Sequence, residues 1–123
     1  MPTTLDAFGN LLMAEVRDEA IADWKAILNG TLKGDRAERI RKLCAGMRKD
    51  EVKRFLQLVP EVIDTTIHHL LRMLDETEDV RIAMDTPGSQ TENLRELSDG
   101  LAGELYTAAG WIARFSQESM PGS

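Results

Sequence analysis

The sequence predicts an all-α protein: an antiparallel bundle of about four main helices in a single domain covering residues 1–123. Three observations lead there. Apolar residues recur at helical spacing over four long stretches. No stretch alternates apolar and polar residues for long enough to suggest a strand. Breaker residues such as Asn29-Gly30, Gly46 and the run from Asp85 to Gln90 fall between the helical stretches. At 123 residues, 13.7 kDa and 42% hydrophobic content, the chain is long enough to bury a core without disulfides or metal staples.

The first helix is expected from about Asp6 to Leu28, with Phe8, Leu12, Val16, Ala20, Trp24 and Ile27 on one apolar arc. Thr4 or Asp6 suits its N-cap, and Asn29-Gly30 suits its end because both residues tolerate a left-handed backbone. The second runs from about Arg36 to Ala45, capped by Asp35 and ended by Gly46, with Ala37, Ile40, Leu43 and Cys44 inward. The third begins after Asp50 and reaches about Glu76. Val52, Phe55, Leu56, Val59, Ile63, Ile67, Leu70 and Leu74 fall within one arc, and the opposite side reads as polar. Pro60 lies inside this helix, where a proline removes one hydrogen bond and crowds the preceding turn; a kink, or two helices meeting there, is expected. Val80–Met84 reads as a further turn, and Asp85–Gln90 as a loop. The last helix is expected from about Glu92, with Leu94, Leu97, Leu101, Leu105, Ala108, Ile112 and Phe115 on one stripe. Gly100, Gly103 and Gly110 each weaken it by about 1 kcal/mol against alanine, so a break near Gly110 would leave Trp111–Phe115 as a separate turn. Residues 116–123 read as a frayed tail.

The net charge of −6 conceals a strong asymmetry. Lys33–Arg54 holds nine cations against four anions, a local +5, while the rest of the chain carries −11. Asp75–Glu104 alone has nine acids against two arginines. An acidic balance argues against coating nucleic acid with the whole surface. The basic part does not fit a helix-turn-helix, because aligning Gly46 with the turn puts Lys42 where a small packed residue belongs. No nucleic-acid partner is expected. The single cysteine, Cys44, excludes an intrachain disulfide framework and fits a reducing compartment. No apolar run is long enough to cross a bilayer, and Met1–Asp6 lacks the start of a secretory leader. The expected location is cytoplasmic, without membrane contact.

Two acidic arrangements invite a metal reading. Glu15, Glu19 and Asp23 repeat every four residues and lie at the edge of the first helix's apolar arc. Asp64 and His68 share a face at i, i+4. Carboxylates near a core need a cation, a hydrogen bond or a metal, and oxygen ligands of this kind suit Mg²⁺ or Mn²⁺. A Mg- or Mn-dependent phosphate-ester or nucleotide hydrolase would use these five residues. The competing expectation, which we favour, is that the first-helix acids pair with arginines such as Arg36 and Arg39. Glu15-x-x-Asp18 and Glu61-x-x-Asp64 have the spacing found in helical nucleoside-triphosphate hydrolases, but Glu61 points away from the predicted core. No nucleophile elbow, phosphate loop, zinc motif or dinucleotide fingerprint is present.

The sequence therefore favours a non-enzymatic protein-binding module without a cofactor, of the immunity or inhibitor type, acting through a charge-segregated surface. The expected presenting residues are Asp75, Glu76, Glu78, Asp79, Glu92, Glu96 and Asp99. Arg39, Arg41, Lys42, Arg48 and Lys49 would form a separate basic patch. A third expectation is a homodimer packed through Tyr106, Trp111 and the small residues Gly103 and Gly110.

Overall fold

The computed structural model describes residues 3–85 and 92–118, and these are mostly helical. Of the expected loop at 85–90, residues 86–90 lie outside the described residues. Helix α1 (Thr4–Leu12) is capped by Thr3, not by the expected Thr4 or Asp6: the Thr3 hydroxyl accepts the Asp6 N–H at 3.0 Å. The expected first helix does not continue with regular spacing. A π-helical turn, Met13–Arg17, separates α1 from α2 (Asp18–Asn29). Such a turn widens the i→i+4 ladder to i→i+5 and rotates the residues after it against an ideal helix. Burial records the shift. Val16, expected inward, is 46% exposed, whereas its neighbour Arg17 is 0% exposed; Ile21 is buried in place of the expected Ala20.

Gly30 ends α2 as expected, at φ +85°, with its N–H directed to the last-turn carbonyls. Helix α3 (Asp35–Leu43) starts after Gly34 and stops before Gly46. Arg41 fastens it to the end of α2, donating to the carbonyls of Ile27 at 3.1 Å and Leu32 at 2.8 Å. Ile27, Ala37 and Ile40 form a small core here, with Trp24 and Leu28 packed against it.

Helix α4 (Lys49–Glu76) is one element of 28 residues, about 42 Å long at 1.5 Å per residue. It runs through the buried Pro60, so two helices do not meet there. The Glu51 carboxylate accepts the Arg48 N–H at 3.0 Å and closes its first turn. Trp24 meets Phe55 and Arg17 meets Asp64, while Leu12 and Met13 share a cluster with Leu71 and Leu74. These pairings run in opposite directions along the chain, so α1–α2 and α4 are antiparallel.

The fourth long helix does not form. Residues 80–84 are not a helical turn either. Instead β1 (Ala83–Met84) pairs antiparallel with β2 (Glu92–Asn93), Ala83 opposite Asn93. Then come α5 (Leu94–Leu97), a 3-10 turn (Ala102–Glu104) and α6 (Trp111–Phe115), the last matching the separate turn expected after Gly110. The Asp75 carboxylate accepts the N–H groups of Leu101 and Ala102 at 2.9 and 3.2 Å, starting a new turn where a continuous helix would use its own carbonyls. At Gly110 a Cβ would lie 2.7 Å from the Leu105 carbonyl oxygen, a close approach that requires glycine. Leu94, Leu101, Leu105 and Ile112 are nevertheless buried, as expected, in the main core with Trp111.

Residues 116–118 are not frayed. Ser116 Oγ donates to Asp18 at 2.6 Å, the Gln117 N–H reaches the same carboxylate at 2.8 Å, and Glu118 pairs with Lys25. The rest of the expected tail lies outside the described residues. No helix among the described residues is long and apolar enough to cross a membrane.

One tie between the chain's ends predicts a pH effect. Arg114 on α6 donates to Asp6 on α1 at 2.7 Å, and that bond holds the Asp6 carboxyl below its ordinary value of 3.8. A depressed folded-state pKa contributes stability above the unfolded value, lost as pH falls through the folded one. Asp6→Asn is therefore expected to lower stability by a constant amount above about pH 5. The difference from wild type should close on acidification below that, as followed by urea unfolding at several pH values.

Candidate protein-binding surface

Between α2 and α4 lies a cleft of about 180 Å³ lined by Trp24, Phe55, Leu58, Val59, Val62 and Ile63, all apolar side chains. Trp24 and Phe55 meet edge-to-face in its lining, with ring centroids 5.7 Å apart. The Arg36 guanidinium lies 5.9 Å from the Trp24 ring centre, placing a cation at the cleft's edge. Leu58 and Val62 stand out to solvent at 59% and 66% exposure. On the side of α4 expected to be polar, Leu58 and Val62 thus stand among the exposed polar residues Gln57, Glu61 and Thr65. Leu70, expected inward, is also exposed, as is Met73. Contiguous exposed apolar surface on a helix marks a contact site more often than chance scatter does.

Beside the cleft, the π turn aims Arg17 inward. Its Nε donates to Asp64 Oδ1 at 2.6 Å and Nη2 to Oδ2 at 3.2 Å; Nη1 donates to Ser116 Oγ at 2.8 Å. This forked pair joins three segments: the first helical rod, α4 and the strand of chain after α6. Tyr106 donates to the Asp64 carbonyl at 3.4 Å. Burial, then the charges of Asp64 and Glu61, push its phenol above its ordinary pKa.

The metal-directed residues are not brought together. Glu15, Glu19 and Asp23 are exposed, Asp64 is held by Arg17, and His68 lies beside His69 and Tyr106 at ring distances of 5.3 and 5.9 Å. Among the described residues, no three His, Cys, Asp or Glu side chains converge as a metal site. The expected pairing of the first-helix acids with Arg36 and Arg39 does not form either: Arg36 is on Trp24, and no ion pair involves Glu15, Glu19 or Asp23 among the described residues.

The acidic set divides. Asp75 caps the 3-10 turn, Glu76 pairs with Arg72, and Glu92 accepts the Thr4 hydroxyl at 3.0 Å. Glu78, Asp79, Glu96 and Asp99 are exposed. Of the basic set, Arg41 caps α2, while Arg39, Lys42, Lys49 and Arg48, the last in a surface pair with Asp50, are exposed. The predicted dimer surface fails at two positions, since Trp111 is 0% exposed and Gly110 is buried. No family model matches the chain, and no curated protein or solved structure matches it.

Proposed function

We propose that this chain is a non-enzymatic protein-binding module acting in a reducing, cytoplasmic setting. Its contact surface is the apolar cleft between α2 and α4 and the exposed face of α4 that continues from it. The observation carrying this reading is a cleft walled by six apolar side chains, two of them more than half exposed. Aromatic and aliphatic anchors in a cleft, with the Arg36 cation at its edge, fit an amphipathic helix laid into a groove. The acids Glu78, Asp79, Glu96 and Asp99 are what remains of the acidic surface for an immunity or inhibitor-type contact, and they supply orientation rather than the main attraction.

Affinity capture with the wild-type chain and with Val62→Asp tests the reading at low and moderate salt. Val62 is exposed, so the substitution leaves the core intact. The expected result is a protein retained by wild type at both salt concentrations and lost from the variant. Equal retention by both, or retention by neither, would count against the cleft.

A further inference from the structure

We infer that the segment received by this cleft is an acidic amphipathic helix, which sets one large apolar side chain between α2 and α4 and a carboxylate against Arg36 and Arg39. The inference names the chemistry of the partner for the surface proposed above and rests on that reading.

Size limits the occupant first. A cavity of about 150 Å³ holds one benzene-sized group, so a cleft of about 180 Å³ takes one leucine or phenylalanine side chain. From Phe55 to Ile63 its α4 wall advances about 12 Å. Anchors at i, i+4 and i+7 of a docked helix span about 10.5 Å, which matches that wall. Leu58 and Val62, both more than half exposed, meet the anchors beside the inserted one. A flat bilayer does not enter such a cleft.

Charge then sets the sign. The Arg36 guanidinium lies 5.9 Å from the Trp24 ring centre, at the cleft's edge. Arg39 and Leu43 follow it at i+3 and i+7, so the three share one flank of α3, and Leu43 is 81% exposed. Among the described residues neither Arg36 nor Arg39 has a carboxylate partner. The α4 side does not balance them. From Phe55 to Leu71 its only Asp, Glu, Lys or Arg residues are Glu61 and Asp64. Asp64 is held by Arg17. Glu61 lies within reach of the Tyr106 phenol, about 100° round the helix from Val62. Asp23 is turned from Trp24 by a similar angle, about 100°. A carboxylate from outside is therefore the complement that the chain itself does not supply. It would meet a cation already shielded from water on one side by an indole ring, whereas a lysine-bearing helix would be repelled.

A displayed library of short helical peptides provides the test, selected in parallel on the full wild-type chain, on the Arg36→Gln, Arg39→Gln double variant, and on Val62→Asp. All three positions are exposed, so the variants keep the core. Wild type is expected to enrich apolar residues at i, i+4 and i+7 with Asp or Glu in the adjoining turn. The arginine variant should keep the apolar pattern and lose the acid excess. Synthetic peptides from the wild-type pool should bind it about tenfold more weakly at low salt, and analogues with glutamine for each acid should bind both chains alike. A pool without acids, a pool rich in lysine or arginine, or acids retained on the arginine variant would overturn the inference and leave the cleft as a contact site. Failure to enrich any peptide would overturn it too, and sedimentation of that chain with phosphatidylserine vesicles would then give the basic flank to a membrane surface. A pool indifferent to Val62→Asp would remove the cleft reading as well.

Discussion

Replacing Arg17 by alanine is expected to destabilise the protein by about 3–5 kcal/mol, the cost typical of stranding one member of a buried ion pair. Arg17 is 0% and Asp64 5% exposed. Without the guanidinium, Asp64 keeps a carboxylate in the interior with neither of its two present Arg17 hydrogen bonds. Total stabilities of small domains are about 5–15 kcal/mol, so the variant loses a large part of its margin. Urea unfolding followed by circular dichroism measures this directly. Most of the penalty belongs to the stranded charge, not to the lost pair, because a well-packed apolar pair can replace a buried salt bridge at little cost. The Arg17→Met, Asp64→Leu double variant should therefore recover most of the stability lost in Arg17→Ala. Hydrogen exchange at Ser116–Glu118 should rise in both variants, since Arg17 also holds Ser116. A loss below about 1 kcal/mol for Arg17→Ala would place the pair among exposed, weakly coupled contacts.

That expectation concerns a residue the sequence pattern places wrongly, and the reason is physical. Apolar periodicity assumes a constant rotation per residue. One π turn breaks the assumption at Met13–Arg17, so Val16 turns outward and Arg17 inward. Nothing in the local composition announces the extra residue; it is held by a bond to Asp64, 47 positions away. Elsewhere local signals suffice. Asn29-Gly30 stops α2 because the left-handed conformation at Gly30 is chemically cheap there, whereas α4 begins at Lys49, ahead of the expected Asp50, because Glu51 closes its first turn on the Arg48 N–H. Toward the C-terminus the two kinds of information separate. Leu94, Leu101, Leu105 and Ile112 are buried as their spacing suggests, yet the backbone between them is not one helix. Glycines at 100, 103 and 110 weaken the helix, and the Asp75 carboxylate offers Leu101 and Ala102 partners from another element.

The candidate surface is partly legible for a similar reason. Charge counting singles out Asp75, Glu76 and Glu92, but Asp75 and Glu92 are bound to other elements of the fold, and Glu76 is paired on the surface with Arg72. The stronger signal is the scarcity of charge from Phe55 to Leu71, which assigning one side of the helix as polar obscures. Leu58 and Val62 fall outside the buried arc and remain apolar. An apolar residue where solvation would favour a polar one asks for a partner, whereas a surface carboxylate asks for nothing beyond water.

Gly9→Ala separates local propensity from packing by the sign of its effect. In a helix interior alanine exceeds glycine by about 1 kcal/mol, so propensity alone predicts a more stable protein. Gly9, however, is buried on α1 against the indole of Trp111. A Cβ there would come within 2.5 Å of ring atoms Cδ1 and Cε2. The ring cannot give way easily. Trp111 is 0% exposed, Phe8 meets it edge-on at 5.7 Å, and it belongs to the main core. Overpacking of this kind typically costs about 1–3 kcal/mol and sometimes more. The overlap with a rigid bicyclic ring puts Gly9→Ala at the upper end, so the expected net change is a destabilisation of about 2 kcal/mol after the propensity gain. The near-ultraviolet signal of Trp111 should change with it. Combining Gly9→Ala with Trp111→Phe should cost less than the separate effects added together, because the smaller ring frees the space that Cβ needs. If the unfolding midpoint of Gly9→Ala instead rises, the close approach of α1 and α6 cannot be what holds this end of the protein together.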